Sequence, residues 1–352
     1  MNNFVPNEDN VRFLGRAVFI DGLLRLAYSG SGAEFAFEGT SLSIVVRGDD
    51  NIEKEDSSNL PRIAVFVNGE RVVDEVLSKP ETTLEVCSSA ELRECTVSVV
   101  KLSETGNSTC AIKSIAVSEC GNIIPTNKKA HSIEFIGDSI TCGYGVDTDR
   151  DHHFSTGTED CTKTYAGITA QLLDCDCSIV AKSCHGVITA STVDGTKQNW
   201  GIMPQYYECF GSGAGCINGI YPESIKWDFN KHRNDVVVIN LGTNDYTYTG
   251  DNPERLDEYR LGYVDFLIRL RELNPDSKII CTVGMMGDEL YKTIECAADE
   301  YTSKTGDMNV VCYRFDVQDS ADGYGGDYHP SVATHEKAAK KFAEFIKSVM
   351  GW

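Results

Sequence analysis

A small set of residues in this chain has the types and spacing needed to hydrolyse an ester. Nucleophilic ester hydrolysis requires a hydroxyl, a base that accepts its proton, a group that orients the base, and donors for the oxyanion. Ser139 supplies the hydroxyl, in a GDS sequence directly after the apolar run 133–136. His329, in the sequence DYHP, supplies the base. Taken alone, GDS is more typical of an ordinary turn after a buried strand, and a lone histidine is more often structural.

Four groups would orient the base and stabilise the oxyanion. Asp327 lies two residues before His329, and in an extended segment its side chain would share a face with the imidazole. The alternative is a backbone carbonyl as the orienting group, with Asp327 capping the final helix or facing solvent. Asn244, in the sequence GTND, offers a side-chain amide to the oxyanion. Gly186 offers a closely approaching N–H, and the Ser139 N–H is the third donor.

Two further histidines compete with His329 for the role of base. His335 falls at or near the start of the final helical pattern, and His185 follows an apolar run. Neither stands in an Asp-x-His-Pro setting, where a carboxylate and a rigid residue flank the imidazole. The sequence therefore favours His329 as the general base.

The elements that must position these residues divide the chain into two parts. Residues 1–125 show short alternating or apolar runs that end at glycines, and Asn68-Gly69 predicts a hairpin turn. This pattern predicts a β-sandwich of the jelly-roll type. The domain either only packs against and shapes the second domain, or binds carbohydrate itself.

Residues 126–352 change to an alternation of buried apolar runs and helical patterns. Such an alternation predicts an α/β domain with a parallel sheet. Sites in these sheets form at the carboxyl ends of the strands, which places Ser139, residues 183–186 and residues 242–245 along one edge. A long, Gly-rich and aromatic loop spans about residues 201–235.

The composition limits the classes of partner. The 352 residues carry 53 acidic and 32 basic side chains, a formal net charge of -21, which argues against nucleic acid or an anionic membrane as a partner. No stretch is apolar enough to span a bilayer, and no basic-then-apolar signal opens the sequence. Fourteen scattered cysteines, without a C-x-x-C pair, suit reduced thiols better than disulfides or a metal site. We therefore expect a cytoplasmic protein without metal or other cofactor.

The motifs together resemble a known family. Gly137-Asp138-Ser139, Gly186, Gly242-Thr243-Asn244-Asp245 and Asp327-x-His329-Pro330 occur in the order of the four blocks of the SGNH, or GDSL-like, hydrolases. The β domain before the GDS block, and the sequences KWDFNKHRNDVVVINLGTNDY and HPSVATHEKAA, make nearly the whole chain similar to carbohydrate esterase family 2. The resemblance implies a jelly roll followed by an SGNH α/β/α domain.

The same resemblance implies the roles of individual residues. Ser139 would be the nucleophile, His329 the base, and the Ser139 N–H, Gly186 and Asn244 the oxyanion hole. SGNH hydrolases usually place an Asp three residues before the histidine, where this chain has Gly326. Some members of the esterase family use a Ser-His dyad with a backbone carbonyl, so Asp327 as third member remains open against that alternative.

The function implied is hydrolysis of O-acetyl groups on saccharides through an acetyl-enzyme. The family acts on O-6 acetyl groups of hexoses and on xylan-type substrates. Tyr206, Tyr207 and Trp227 are candidates for stacking against sugar rings, with a place in the core as the alternative for each. A short-chain lipid esterase or thioesterase on the same fold is one alternative, and a non-catalytic carbohydrate-binding protein is another. The oligomeric state is left open, with a homo-oligomer among the options.

Overall fold

The computed structural model describes residues 1–54, 59–213 and 215–352. These residues form two compact units. The first contains Met1–Lys129, Ser155–Glu159 and Cys209–Lys226, and the second contains the rest of the described chain. Two segments from beyond residue 126 therefore fold with the N-terminal unit.

The first unit contains a ten-stranded antiparallel sheet. Its central path has the order β3-β4-β9-β5-β8-β6-β7, with β1 paired to β9 and both β2 and β10 paired to β5. The strands are β1 (Asn2–Phe4), β2 (Arg12–Leu14), β3 (Ala17–Ile20), β4 (Leu23–Leu26), β5 (Gly32–Gly48), β6 (Arg62–Val67), β7 (Glu70–Val76), β8 (Glu81–Lys101), β9 (Cys110–Val117) and β10 (Asn122–Pro125).

Two long strands allow this sheet to curl around its own core. β5 has 17 residues and β8 has 21, and their pairing shifts register between Gly39 and Ser41 and again between Leu42 and Ser43. Such irregularities bend a strand and increase its twist. Buried side chains of β5, such as Phe35 and Ile44, then lie inside the curl. The predicted antiparallel β domain is confirmed.

The predicted hairpin between β6 and β7 is also present. Asn68 and Gly69 both have positive φ, 51° and 85°. A two-residue turn with both φ values positive matches the right-handed twist of the flanking strands, and Asn-Gly is the sequence that adopts it most readily.

The second unit contains a five-stranded parallel sheet with the order β12-β11-β13-β14-β15. Its strands are β11 (Ser132–Gly137), β12 (Asp176–Ala181), β13 (Val236–Asn240), β14 (Lys278–Met285) and β15 (Val310–Val317). Its helices are α1 (Ser139–Cys142), α2 (Tyr165–Leu172), α3 (Met203–Tyr206), α4 (Thr243–Thr249), α5 (Pro253–Leu273), α6 (Tyr291–Thr305) and α7 (Val332–Met350).

Alternate residues of the central strands face opposite layers of helices. Ile280 of β14 belongs to an apolar cluster with Phe342 of α7, whereas its neighbour Cys281 faces Tyr263 of α5. Successive side chains of a strand point to opposite faces, so helices cover the sheet on both sides. The predicted α/β/α architecture is confirmed.

The ends of the longest helices follow from their sequences. The Asn252 side chain accepts from the N–H groups of Glu254 and Arg255 at the start of α5, with Pro253 at the first helical position. The Ser331 side chain accepts from the Thr334 N–H at the start of α7. These caps satisfy N–H groups that have no acceptor within the helix.

Short 3-10 turns occur at Asp50–Glu53, Thr156–Thr158, Cys161–Lys163, Pro222–Ser224, Ser320–Asp322 and Gly326–Tyr328.

Two further observations concern the chain as a whole. All fourteen cysteines are free thiols in the structure. Among the described residues, no helix combines the length and the apolar character that crossing a bilayer requires.

Candidate active site

Ser139 lies where β11 ends and α1 begins. Asp138 caps α1, because its side chain accepts from the Ile140 N–H at 3.0 Å. The first N–H groups of a helix have no acceptor within it, so the Ser139 N–H is directed out of the helix. The Ser139 hydroxyl oxygen lies 2.9 Å from Nε2 of His329. The predicted nucleophile and the predicted base are therefore in hydrogen-bonding contact.

A backbone carbonyl orients the His329 ring. Nδ1 of His329 lies 3.1 Å from the Gly326 carbonyl oxygen. A carbonyl can only accept, so this contact places the ring proton on Nδ1 and leaves Nε2 free to accept the Ser139 proton. That is the tautomer that a general base for Ser139 needs.

Burial keeps the His329 imidazole neutral. His329 lies mostly out of contact with water, and this desolvation lowers its pKa below the ordinary histidine value. Hydrogen bonds to the backbone of Gly326 and of Asp327, together with the negative charge of Asp327, raise the His329 pKa and offset part of this effect. A neutral imidazole at neutral pH can accept a proton from Ser139 without first losing one.

Asp327 does not occupy the orienting position that the sequence suggested. Its carboxylate accepts from the Tyr144 hydroxyl at 2.6 Å and from the Phe154 N–H at 3.2 Å, and it pairs with Nδ1 of His153 at 3.0 Å. The expectation assumed an extended backbone, but Asp327 and Tyr328 have φ values of 48° and 62°. In that conformation residues two apart no longer share a face, and the geometry assigns the contact with Nδ1 to Gly326.

Asn244 lies beside the Ser139 turn. Its amide nitrogen donates to the His185 carbonyl at 2.9 Å and to the Asp138 carboxylate at 3.1 Å. The second of these bonds is long for a charge-assisted contact. An oxyanion at Ser139 would take that N–H in exchange for the contact with Asp138. The structure thus brings Ser139, His329 and Asn244 together as the sequence predicted.

Gly186 is close to this group, but its N–H is engaged elsewhere. It donates to the Gly201 carbonyl at 2.9 Å. A Cβ at residue 186 would lie 2.4 Å from the Asp245 carboxylate, so close packing accounts for glycine at this position. Gly186 as an oxyanion donor stays a prediction, and the role would require its N–H to exchange the Gly201 carbonyl for the oxyanion.

Two buried carboxylates fix the turns that carry these groups. Asp245 accepts from the N–H of Val187 at 2.9 Å and from that of Ile188 at 2.8 Å, while Asp138 caps α1 and contacts Asn244. Burial raises the pKa of each carboxyl to about 7. Neither carboxylate had a predicted role, although Asp138 lies in the GDS sequence and Asp245 in the GTND sequence.

The three predicted sugar-stacking residues have different environments. Tyr207 is buried, and its hydroxyl donates to Glu134 at 2.7 Å. Trp227 is also buried and stacks on His232 with the ring centroids 4.2 Å apart. These two side chains belong to the interior, because the long aromatic loop folds inward rather than lying over the surface. Tyr206 is partly exposed and lies 5.6 Å from the His185 ring.

An exposed aromatic residue near Tyr206 was missed. Trp200 is 54% exposed, and its ring lies edge-on to His185 at 6.2 Å. The sequence signal is a tryptophan in the polar stretch 194–200, which offers few apolar neighbours to cover it. Trp200 and Tyr206 are therefore accessible aromatic side chains beside the His185 ring.

The two rival histidines are structural. Nδ1 of His335 accepts from the Tyr165 N–H at 3.0 Å, and burial lowers the His335 pKa to about 3. Burial likewise lowers the His185 pKa to about 4, and Nδ1 of His185 lies 2.9 Å from the Ser183 carbonyl. Neither ring has a described contact with Ser139.

The chain matches two family models, one in each part. Residues 135–337 match the GDSL-like lipase/acylhydrolase family, and residues 13–126 match the N-terminal domain of carbohydrate esterase 2. A curated relative, the cellulase/esterase CelE of Acetivibrio thermocellus, is 30% identical over 365 residues. The match includes 99% of this chain, but the chain spans only about 40% of the length of that relative.

Two solved structures are similar along nearly the whole chain. An acetyl xylan esterase from the rumen bacterium Butyrivibrio proteoclasticus superposes with a TM-score of 0.89 at 24% identity, covering 99% of this chain and 97% of that one. A family two carbohydrate esterase from Clostridium thermocellum, solved in complex with cellohexaose, gives 0.83 at 25% identity, covering 97% and 99%. The first of these establishes similarity of fold alone.

The role of Asn244 leads to a test. Asn244→Ala should lower kcat by about a hundred- to a thousand-fold, as removal of one oxyanion donor does elsewhere, with a smaller change in KM. Steady-state kinetics with 4-nitrophenyl acetate measure both constants. Asn309→Ala is a matched control, because Asn309 donates to the Ser277 carbonyl at the opposite edge of the sheet. A change mainly in KM would instead make Asn244 a substrate-binding residue.

The lowered pKa of His329 predicts the pH profile. Only the neutral imidazole can accept the Ser139 proton, so kcat/KM should rise with pH through the His329 pKa of the free enzyme. Because burial holds this pKa below 6.5, the midpoint of the rise should fall below 6.5, with a plateau through pH 7 to 8. Rates on an uncharged acetyl ester between pH 4 and 9 test this expectation. A midpoint above 7 would contradict it.

Proposed function

The chain belongs to the GDSL-like lipase/acylhydrolase family and, through its N-terminal domain, to carbohydrate esterase family 2, and from this premise we propose that it removes acetyl groups from carbohydrates. The expected family is confirmed, and the expected class of enzyme, an ester hydrolase, agrees with the names of its relatives. The observation that carries the proposal is the 2.9 Å contact between the Ser139 hydroxyl and Nε2 of a His329 ring whose other nitrogen is held by Gly326.

In the first half-reaction the acetyl group passes to the enzyme. The Ser139 oxygen attacks the acetyl carbonyl carbon while Nε2 of His329 accepts the hydroxyl proton. The N–H of Ser139 and the amide of Asn244 donate to the oxyanion that forms. The tetrahedral intermediate then collapses, the bond to the sugar oxygen breaks, and His329 returns the proton to that oxygen. The products are the free sugar hydroxyl and an acetyl ester on Ser139.

In the second half-reaction water takes the place of the sugar hydroxyl. Nε2 of His329 accepts a proton from the water as its oxygen attacks the acetyl carbonyl. The same donors stabilise the second oxyanion, and its collapse releases acetate and restores the Ser139 hydroxyl. Throughout, the Gly326 carbonyl keeps the proton on Nδ1, so Nε2 remains the nitrogen that exchanges protons with the reactants.

The substrate in this proposal is an acetylated, neutral, β-linked saccharide. The names of the relatives support it, since they include an acetyl xylan esterase and an esterase solved with cellohexaose. The formal charge of -21 also suits an uncharged substrate better than an anionic one. Release of acetyl groups from O-6 of hexoses or from xylan-type oligosaccharides is the finer form of the proposal. The cytoplasmic location and the absence of nucleic-acid and membrane partners stay predictions, and the oligomeric state stays open.

The proposal is tested with the 352-residue chain. The protein should release acetate from acetylated xylo-oligosaccharides or 6-O-acetylglucose. Its turnover of 4-nitrophenyl esters should fall as the acyl chain grows from acetate to octanoate. Ser139→Ala should lose several orders of magnitude in kcat without unfolding, because it removes the nucleophile. Ser348→Ala, which changes an exposed serine of α7, is the matched control.

Three results would refute parts of this proposal. Near-normal turnover by the Ser139→Ala protein would remove the mechanism. Rates that rise toward octanoate would identify a lipid esterase. Binding of acetylated saccharides with no acetate release would identify a carbohydrate-binding protein.

A further inference from the structure

The Asp327 carboxylate lies at the centre of a set of contacts that the catalytic scheme does not use. One oxygen accepts from the Tyr144 hydroxyl at 2.6 Å and from the Phe154 N–H at 3.2 Å, and the other lies 3.0 Å from Nδ1 of His153. The hydrogen bond from Tyr144 is the largest cause of a lowered Asp327 pKa, so the group is a carboxylate at neutral pH. A short bond to a carboxylate is a strong constraint on the tyrosine.

The Tyr144 ring stacks against the His329 ring. The two ring centroids are 4.0 Å apart with an interplanar angle of 21°. The Phe154 ring stacks against Tyr144 with the centroids 4.6 Å apart. Asp327 thus binds the hydroxyl of one of these aromatic residues and the backbone N–H of the other. Its carboxylate thereby holds both members of the stack next to the imidazole and makes its own described hydrogen bonds to other groups.

The same turn presents the carbonyl that orients His329. Asp327 and Tyr328 both have left-handed backbone conformations, which cost about 1 kcal/mol or more for each residue other than glycine. The Gly326 N–H donates to the Gly145 carbonyl at 2.9 Å, and a Cβ on Gly145 would lie 2.6 Å from the Gly326 nitrogen. The turn is therefore packed directly against the chain that follows Tyr144. The contacts of Asp327 offset its backbone strain.

We propose that Asp327 is a positioning residue whose carboxylate acts on His329 through Tyr144 and not as a hydrogen-bond partner of the imidazole. The carboxylate fixes the Tyr144 ring, and the ring fixes the plane of the imidazole. The turn that carries Asp327 sets the Gly326 carbonyl opposite Nδ1. The expected changes in kcat rest on the proposed esterase activity, whereas the orientation of the His329 ring can be measured without that activity.

Four variants separate this role from that of a charged partner of His329. Tyr144→Phe and Asp327→Ala should each lower kcat by about tenfold with KM changed less than about twofold, because a loosened base is misplaced for proton transfer. The double variant should lose about the same tenfold, since both changes break one contact. Asp327→Asn keeps an oxygen that accepts from Tyr144 and should lose about threefold or less. A charged partner predicts about a ten-thousand-fold loss for the same variant.

A spectroscopic readout makes the test independent of turnover. The fraction of the Nδ1–H tautomer of His329, measured from imidazole nitrogen shifts in the whole chain, should fall in Tyr144→Phe and Asp327→Ala and remain high in Asp327→Asn. Tyr301→Phe is the matched control. It breaks a 2.8 Å hydroxyl–carboxylate bond to Asp307 near the C-terminal end of α6, before β15 begins.

The outcomes distinguish this inference from the proposed function. An inactive wild-type chain with the expected tautomer changes would refute the esterase proposal and keep the positioning role. An active wild type with unchanged kcat and tautomer in Asp327→Ala would overturn the positioning role. The positioning role would also be overturned if the losses in kcat of the two single variants multiplied in the double variant. An Asp327→Asn protein with as little activity as a His329→Ala protein would overturn it too.

Discussion

The parallel pairing of β11 with β12 and β13 is the constraint on which the site depends. Gly137 lies opposite Ala181 on one side and Asn240 on the other, so three strands end at one level. The turns that follow must then share a small volume beyond the sheet. Their polar groups would lose water there without gaining a partner, and the Asp138 and Asp245 carboxylates supply the missing acceptors. These buried hydrogen bonds fix the positions of the Ser139 hydroxyl and the Asn244 amide.

Site residues at the ends of strands could be predicted from the sequence. Side-chain directions that depend on the path of a turn could not. Ser139 and Asn244 follow apolar runs that could only be buried strands, so their proximity was predictable from parallel topology. The direction of the Asp327 side chain was not, because no local pattern shows that Asp327 and Tyr328 take up left-handed conformations against their own preferences. The sequence could not assign Tyr207 and Trp227 to the core or to a sugar-binding surface for a related reason: an aromatic residue in a long loop gives no sign of whether the loop folds inward.

In the proposed mechanism, orientation of His329 by a carbonyl changes the electrostatics of catalysis. A carbonyl selects the same tautomer as a carboxylate does, yet it brings no full negative charge to the imidazolium that forms during the reaction. The charge of Asp327 lies nearby and raises the His329 pKa, but burial outweighs it. The site therefore favours a neutral histidine in the resting state. Stabilisation of the transition state falls more heavily on the donors around Ser139.

Because the chain passes back and forth between the two units, recombination within its gene is constrained. The chain crosses from one unit to the other at five points, after residues 129, 154, 159, 208 and 226. Ile217, from the segment Cys209–Lys226, is buried with Leu23 and Ala111 of the N-terminal sheet. A recombination event with a single breakpoint between the units would strip that sheet of part of its apolar cover. Natural shuffling of such a gene is therefore expected to move the β domain and the catalytic domain together, as one cassette.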